Sequence, residues 1–201
     1  MSKSWKLLIV SLVLCLFFTA GCAADGPDES RRYPVVLDVT NDEEYQWTYT
    51  IEDESVLTIT KEEDSDEASP LGHSHIFGVQ PLEVGQTTIH FAYGKSGDDD
   101  VLYNYSATYA VDKELFVDQV SQSGDYIALQ KFMSLGEEKL QLEKPFSEYK
   151  MIFNDDVVNV GEDECSWLVV YDEGEMVASY AISNSNDHIY LNDDGERVLI
   201  K

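Results

Sequence analysis

Apolar and polar residues alternate with period two along most of this chain, in short runs separated by turn-forming residues. That is the pattern of strands with one buried face. Residues 34–40 set Val35, Leu37 and Val39 on one side, and Asn41-Asp42-Glu43-Glu44 then breaks the run as a turn. Tyr45, Trp47, Tyr49 and Ile51 share the inner side of the next run, and 55–60 is a third, rich in Leu, Ile and Thr. Residues 61–69 (KEEDSDEAS) predict a polar loop too charged to bury. A glycine-led loop from Gly72 to His75 then leads into a strand carrying Phe77 and Val79. Residues 81–85 turn the chain, and Thr87, Ile89, Phe91 and Tyr93 leave together on one face, so 72–93 predicts a hairpin. After a loop at 94–100, the run 101–111 is the longest, with Tyr103, Tyr105, Ala107, Tyr109 and Val111 in step. Many short strands with turn signals between them predict a mainly β protein whose first block is a β-sandwich.

The pattern changes at 112–123, which predicts a crossing between two modules. Residues 126–135 favour a helix, with Ile127, Leu129, Phe132, Met133 and Leu135 apolar and Gly136 as its stop. Strand character returns at 149–153, 166–171, 175–182, 188–191 and 197–200, with Asp172-Glu173-Gly174 as a tight hairpin signal. The second block predicts a small α+β module. The expected organisation is a sandwich over 33–118 and a module of unassigned function over 125–201.

The N-terminus carries a different signal. Lys3 and Lys6 precede an apolar run over 7–18, the length of a signal peptide rather than of a bilayer span. The run ends in Ala20-Gly21-Cys22, which resembles a bacterial lipoprotein lipobox. The resemblance implies a signal peptide over 1–21, a diacylated Cys22, a tether over 22–32 and anchoring at the extracytoplasmic face of the cell membrane, with no transmembrane helix. With Cys15 in the signal and Cys22 lipidated, Cys165 stands alone and no intramolecular disulfide can form.

Charge narrows the partners. The formal net charge is −26, and residues 1–21 hold two of the 13 basic side chains and none of the 39 acidic ones. So acidic a surface repels phosphate, and no nucleic-acid partner is expected. Cys165 follows Glu162, Asp163 and Glu164, whose charge opposes a thiolate, so a packed cysteine is expected rather than a nucleophile. No Ser-His-Asp spacing, phosphate loop or dinucleotide motif occurs, and the chain predicts no enzyme and no cofactor. His73 and His75 lie near Asp64, Asp66 and Glu67; such a loop pair is ordinarily solvated, and no metal is expected.

The spacing from Gly72 through Phe77, Leu82 and Gly85 to Tyr93, with Asn41, Tyr45 and Trp47 before it and Tyr109-Ala110-Val111 after it, resembles the chagasin-type inhibitors of papain-like cysteine proteases. The resemblance covers about 34–112. It implies an immunoglobulin-like sandwich that engages a papain-like protease through three loops at one end. Carried onto this sequence, those loops are Asn41, Asp42, Glu43, Glu44 and Tyr45; Gly72, His73, Ser74 and His75 within 71–76; and Gly94 and Lys95 within 94–100. The first is one residue shorter than the family's Asn-Pro-Thr-Thr-Gly wedge and has carboxylates in its place. Strand alternation puts all three loops at one end, as in antibody-like binding surfaces. Two functions are therefore open: protease inhibition, or adhesion or envelope assembly in which the same scaffold holds another protein or a glycan.

Overall fold

The computed structural model describes residues 32–95 and 101–201, without the side chains of 66, 67 and 155. The predicted signal peptide, Cys22, the tether up to residue 31 and residues 96–100 of the third loop lie outside the described residues. Among the described residues no helix is long and apolar enough to cross a membrane.

The protein is mainly β, with every strand pair antiparallel. The strands are β1 (Tyr33–Thr40), β2 (Tyr45–Ile51), β3 (Leu57–Ser69), β4 (Gly72–Pro81), β5 (Gly85–Lys95), β6 (Val101–Val111) and β7 (Val117–Ser123). One helix, α1 (Asp125–Met133), and a 3-10 turn (Phe146–Glu148) follow. The chain ends in β8 (Lys150–Val160), β9 (Asp163–Asp172), β10 (Glu175–Ser183), β11 (Ile189–Asp193) and β12 (Glu196–Leu199). Among the described residues three sheets result, with orders β1-β4-β3, β2-β5-β6-β7 and β12-β11-β10-β9-β8.

The first two sheets face each other across an aromatic core, consistent with an immunoglobulin-like sandwich. Phe77 of β4 meets Phe91 of β5 at 5.1 Å and Tyr49 of β2 at 5.7 Å between ring centroids. The inner faces follow the alternation: Val35, Leu37 and Val39, then Ile89, Phe91 and Tyr93, then Tyr103, Tyr105, Ala107, Tyr109 and Val111 are all buried. Period-two patterning fixes which face a side chain takes, and here that face is the core.

Sheet membership departs from expectation at three places. β4 and β5 do not form a hairpin. β4 pairs with β1 and β3 while β5 pairs with β2 and β6, so 82–84 is a corner between sheets. Residues 61–69 are strand rather than loop and continue β3 along the sheet edge, with Glu62, Glu63 and Asp64 opposite Phe77, Ile76 and His75. An edge strand leaves one side to water, so charge is no bar to pairing there and guards the edge against other chains. Finally, 117–123 is a strand on the outer edge of β6, not a bare crossing.

Helix α1 begins with Asp125 in its first turn and has Lys131 in its last, both favourable to the helix dipole. Its buried side includes Leu129 and Phe132, and Phe132 lies against Tyr180 of β10 at 4.7 Å. Tyr126, at its start, lies edge-on to Trp47 at 5.3 Å and near Tyr105 at 5.7 Å. The hydrophobic cluster thus runs from β1 and β2 through α1 into β9 and β10. The 172–175 connection is a two-residue turn with positive φ at Glu173 (49°) and Gly174 (89°), as the sequence signal requires.

Candidate functional site

β1 and β2 belong to opposite sheets, and the four residues between them bridge the sandwich at one end. Asp42 shapes that bridge: its Oδ1 accepts the Glu44 N–H at 3.1 Å and its carbonyl accepts the Tyr45 N–H at 3.1 Å. An acidic side chain spent on its own turn is a conformational device first. Thr40, just before the bridge, is held by Tyr93, whose hydroxyl accepts its N–H at 3.0 Å and lies 2.7 Å from its Oγ1. Beneath the bridge Tyr45 stacks near Tyr93 at 6.0 Å, and Tyr93 on Tyr103 at 5.1 Å with planes 5° apart. Burial raises the Tyr93 hydroxyl above the usual tyrosine range. The loop therefore stands on a fixed aromatic column.

The other two predicted segments come to the same end. Gly72 pairs with Thr40, and Lys95 pairs with Tyr45. Residues 72–75 are not a loop, however: they are the first residues of β4, hydrogen-bonded between β1 and β3. The turn is confined to 70–71, because β3 runs further than its charge suggests. Gly72 has φ 144°, and a Cβ there would lie 2.5 Å from Asn41 Oδ1. Only glycine fits so close to the first loop. Strand alternation then separates the next three residues. His73 and His75 face the end groove, while Ser74 points to the opposite side and is buried.

That groove, of about 490 Å³, opens between the two sheets. Val39, Tyr45 and Trp47 line it from β1 and β2, and Glu62, Asp64, His73 and His75 from β3 and β4. His75 Nδ1 lies 2.7 Å from Asp64 Oδ1, and His73 Nε2 lies 4.0 Å from the same atom. The Asp64 side chain is 71 % exposed, so its charge meets solvent or a partner. Among the described residues no three His, Cys, Asp or Glu side chains converge so as to hold a metal ion. On the far side of the bridge Lys95 is ion-paired with Glu44, which raises the lysine above its ordinary value. Lys95 Nζ also lies 5.2 Å from the Tyr45 ring centroid.

Two parts of this end were not legible in the sequence. Glu62 was hidden in an apparent loop, whereas Asp64, expected near His73 and His75, does lie beside them. Lys150, at the start of β8, places its Nζ 5.6 Å from the Tyr45 ring. Nothing local marks Lys150 as a neighbour of Tyr45, since the contact is made by packing between distant segments.

Cys165 is fully buried on β9, with Sγ 3.7 Å from the Asp163 carbonyl, and burial pushes its thiol up. Asp163 itself accepts from Tyr190 Oη at 2.6 Å and from Asn186 Nδ2 at 2.7 Å, and it lies 2.7 Å from His188 Nδ1. Those partners hold its carboxyl below the usual range, the tyrosine foremost. The cluster ties the 184–188 loop to β9.

Comparison with known proteins returned little. No family model matches the chain, and no curated protein matches it. A solved structure with partial likeness is the cysteine protease inhibitor of Entamoeba histolytica, 21 % identical with a TM-score of 0.27, over 33 % of this chain and 62 % of that one. The chain thus spans under two thirds of that inhibitor's length.

Proposed function

We propose that this protein is a lipid-anchored extracytoplasmic binding protein whose loop end engages, and inhibits, a papain-like cysteine protease. The observation that carries the reading is the convergence of 41–45, 72–75 and 94–95 at one end of two packed sheets, the segments named by the chagasin-type resemblance. Their support is rigid, from the Asp42 turn and the Tyr45–Tyr93–Tyr103 column, which lowers the ordering cost of binding. The direct test is inhibition of papain-like proteases by a chain starting at Ala23, which keeps the compact unit 31–201. Nanomolar inhibition is expected, and none at micromolar concentration overturns the inhibitor reading.

Anchoring rests on the lipobox alone. Labelling with a palmitate analogue should mark the wild-type chain, and Cys22→Ala should abolish the label and release the protein from membranes. The second reading, a non-inhibitory adhesion or assembly role, is favoured by the acidic rim of the groove. Glu43, Glu62 and Asp64 on entering a protease cleft lose water, a cost on the order of a few kcal/mol for each carboxylate left unpaired. A partner with a basic face avoids that cost. Crosslinking from position 43 that captures an envelope protein or glycan instead of a protease favours this second reading.

A further inference from the structure

On the side of the first loop away from the acidic groove lies a smaller cleft of about 210 Å³, shared between the sandwich and the C-terminal segment. Its floor is apolar: Leu102, Tyr103 and Met151 are almost fully buried. Its rim carries Asn41 and Asp42 on one side and Ser147, Glu148 and Lys150 on the other. The outer rim is built to stay in place. Phe146, at the start of the 3-10 turn, is buried 5.8 Å from Phe132 of α1. The Tyr149 hydroxyl accepts the N–H groups of Glu143 and Lys144 at 3.1 and 3.0 Å, closing the segment on itself.

We infer that residues 147–150 form a second contact surface for the protein bound at the loop end, and that the cleft takes an apolar side chain of that same partner. This rests on the binding role proposed above for 41–45. Two arguments carry it. A stable protein interface covers about 800 Å² and 20–30 residues on each side, more than segments 41–45, 72–75 and 94–95 offer, so the contact must spread onto neighbouring surface. The cleft is continuous with the bridge through Asn41, Asp42 and Tyr45. Its size also selects the occupant: small-molecule sites usually enclose about 300–1,000 Å³, and this one is smaller, with the floor of an anchor pocket and a polar rim. Lys150, over the Tyr45 ring, joins the two contact surfaces.

The test uses the chain from Ala23 with papain and cathepsin L as probes, and measures both Kd and inhibition. Ser147→Trp fills the cleft from its rim, and Lys150→Glu reverses an exposed charge with little risk to folding. Val84→Trp, at the opposite end of the sandwich, is the control. Both cleft variants are expected to weaken binding at least tenfold at unchanged melting temperature, with the control at wild-type affinity. Binding that falls with Tyr45→Ala but is untouched by Ser147→Trp and Lys150→Glu overturns the second contact surface and leaves the inhibitor reading standing. Absence of wild-type binding to either protease overturns both. Should Ser147→Trp not fold, Lys150→Glu alone decides.

Discussion

Two sites close together, one on β1 and β2 and one at the bridge that joins them, put polar side chains to opposite uses. At mid-strand, Asp38 and Trp47 join the sandwich to α1. The Tyr126 hydroxyl donates to Asp38 Oδ2 at 2.8 Å and accepts the Asp38 N–H at 2.8 Å, while Trp47 Nε1 donates to the Asp38 carbonyl at 2.9 Å. Burial, and then the charge of Asp38, push the Tyr126 hydroxyl well above the usual tyrosine range. At the loop end, Glu44 of the bridge and Lys95 of β5 make their ion pair in water. In the joint the polar groups are half-buried and hydrogen-bonded to one another, so their loss is felt as stability. At the loop end solvent is the competitor, so loss there is felt only when a partner is present.

The largest expected effect tests the joint. Trp47→Ala removes the ring that touches Phe91, Tyr93, Tyr103 and Tyr126 and should cost about 3–5 kcal/mol in denaturant unfolding. A loss under 1 kcal/mol would show that the joint is not part of the core. Tyr126→Phe keeps the packing and deletes the hydroxyl, leaving Asp38 without that donor; about 1.5–3 kcal/mol is expected for a hydrogen bond to a charged group.

Gly72→Ala probes where the two regimes meet. Its positive φ and the contact with Asn41 predict strain of about 1–3 kcal/mol, with chemical-shift changes in 41–45 as the structural readout. Unchanged shifts there would uncouple β4 from the first loop.

Asp163 extends the comparison to pH. Its folded value is depressed, so its contribution is complete above the unfolded value of about 3.9 and is lost as pH falls through the lower folded value. Melting temperature should therefore drop more steeply below pH 4 in wild type than in Asp163→Asn; identical slopes would remove the cluster from acid stability. Asp64, with a histidine at the same 2.7 Å but largely exposed, should keep nearly the wild-type melting temperature when changed to Asn. The smallest effect is expected for Lys95→Ala, which breaks an exposed ion pair and should leave the melting temperature nearly unchanged. A clear fall would mean that the loop end is structural like the joint.

The sequence by itself determined where most of the strands run and which side of them is buried, but not that 61–69, 72–75 and 117–123 are strand. The inner positions of β1, β5 and β6 were legible one by one, since strand periodicity is local and burial follows it. The turn at 173–174 and the stop of α1 before Gly136 were legible for the same reason. Only the tertiary structure decided which strands pair. β4 and β5 alternate as hairpin strands would, yet they lie in opposite sheets, because alternation specifies a face and not a neighbour. The charge of 61–69 was read as a loop, but an edge strand satisfies its backbone on one side and leaves its carboxylates in solvent, where Glu62 and Asp64 come to line the groove. The contacts that define the two ends were beyond any local pattern. Asp38 meets Tyr126 across 88 residues of chain, and Lys150 reaches Tyr45 only because α1 and the 3-10 turn bring the C-terminal sheet against the sandwich.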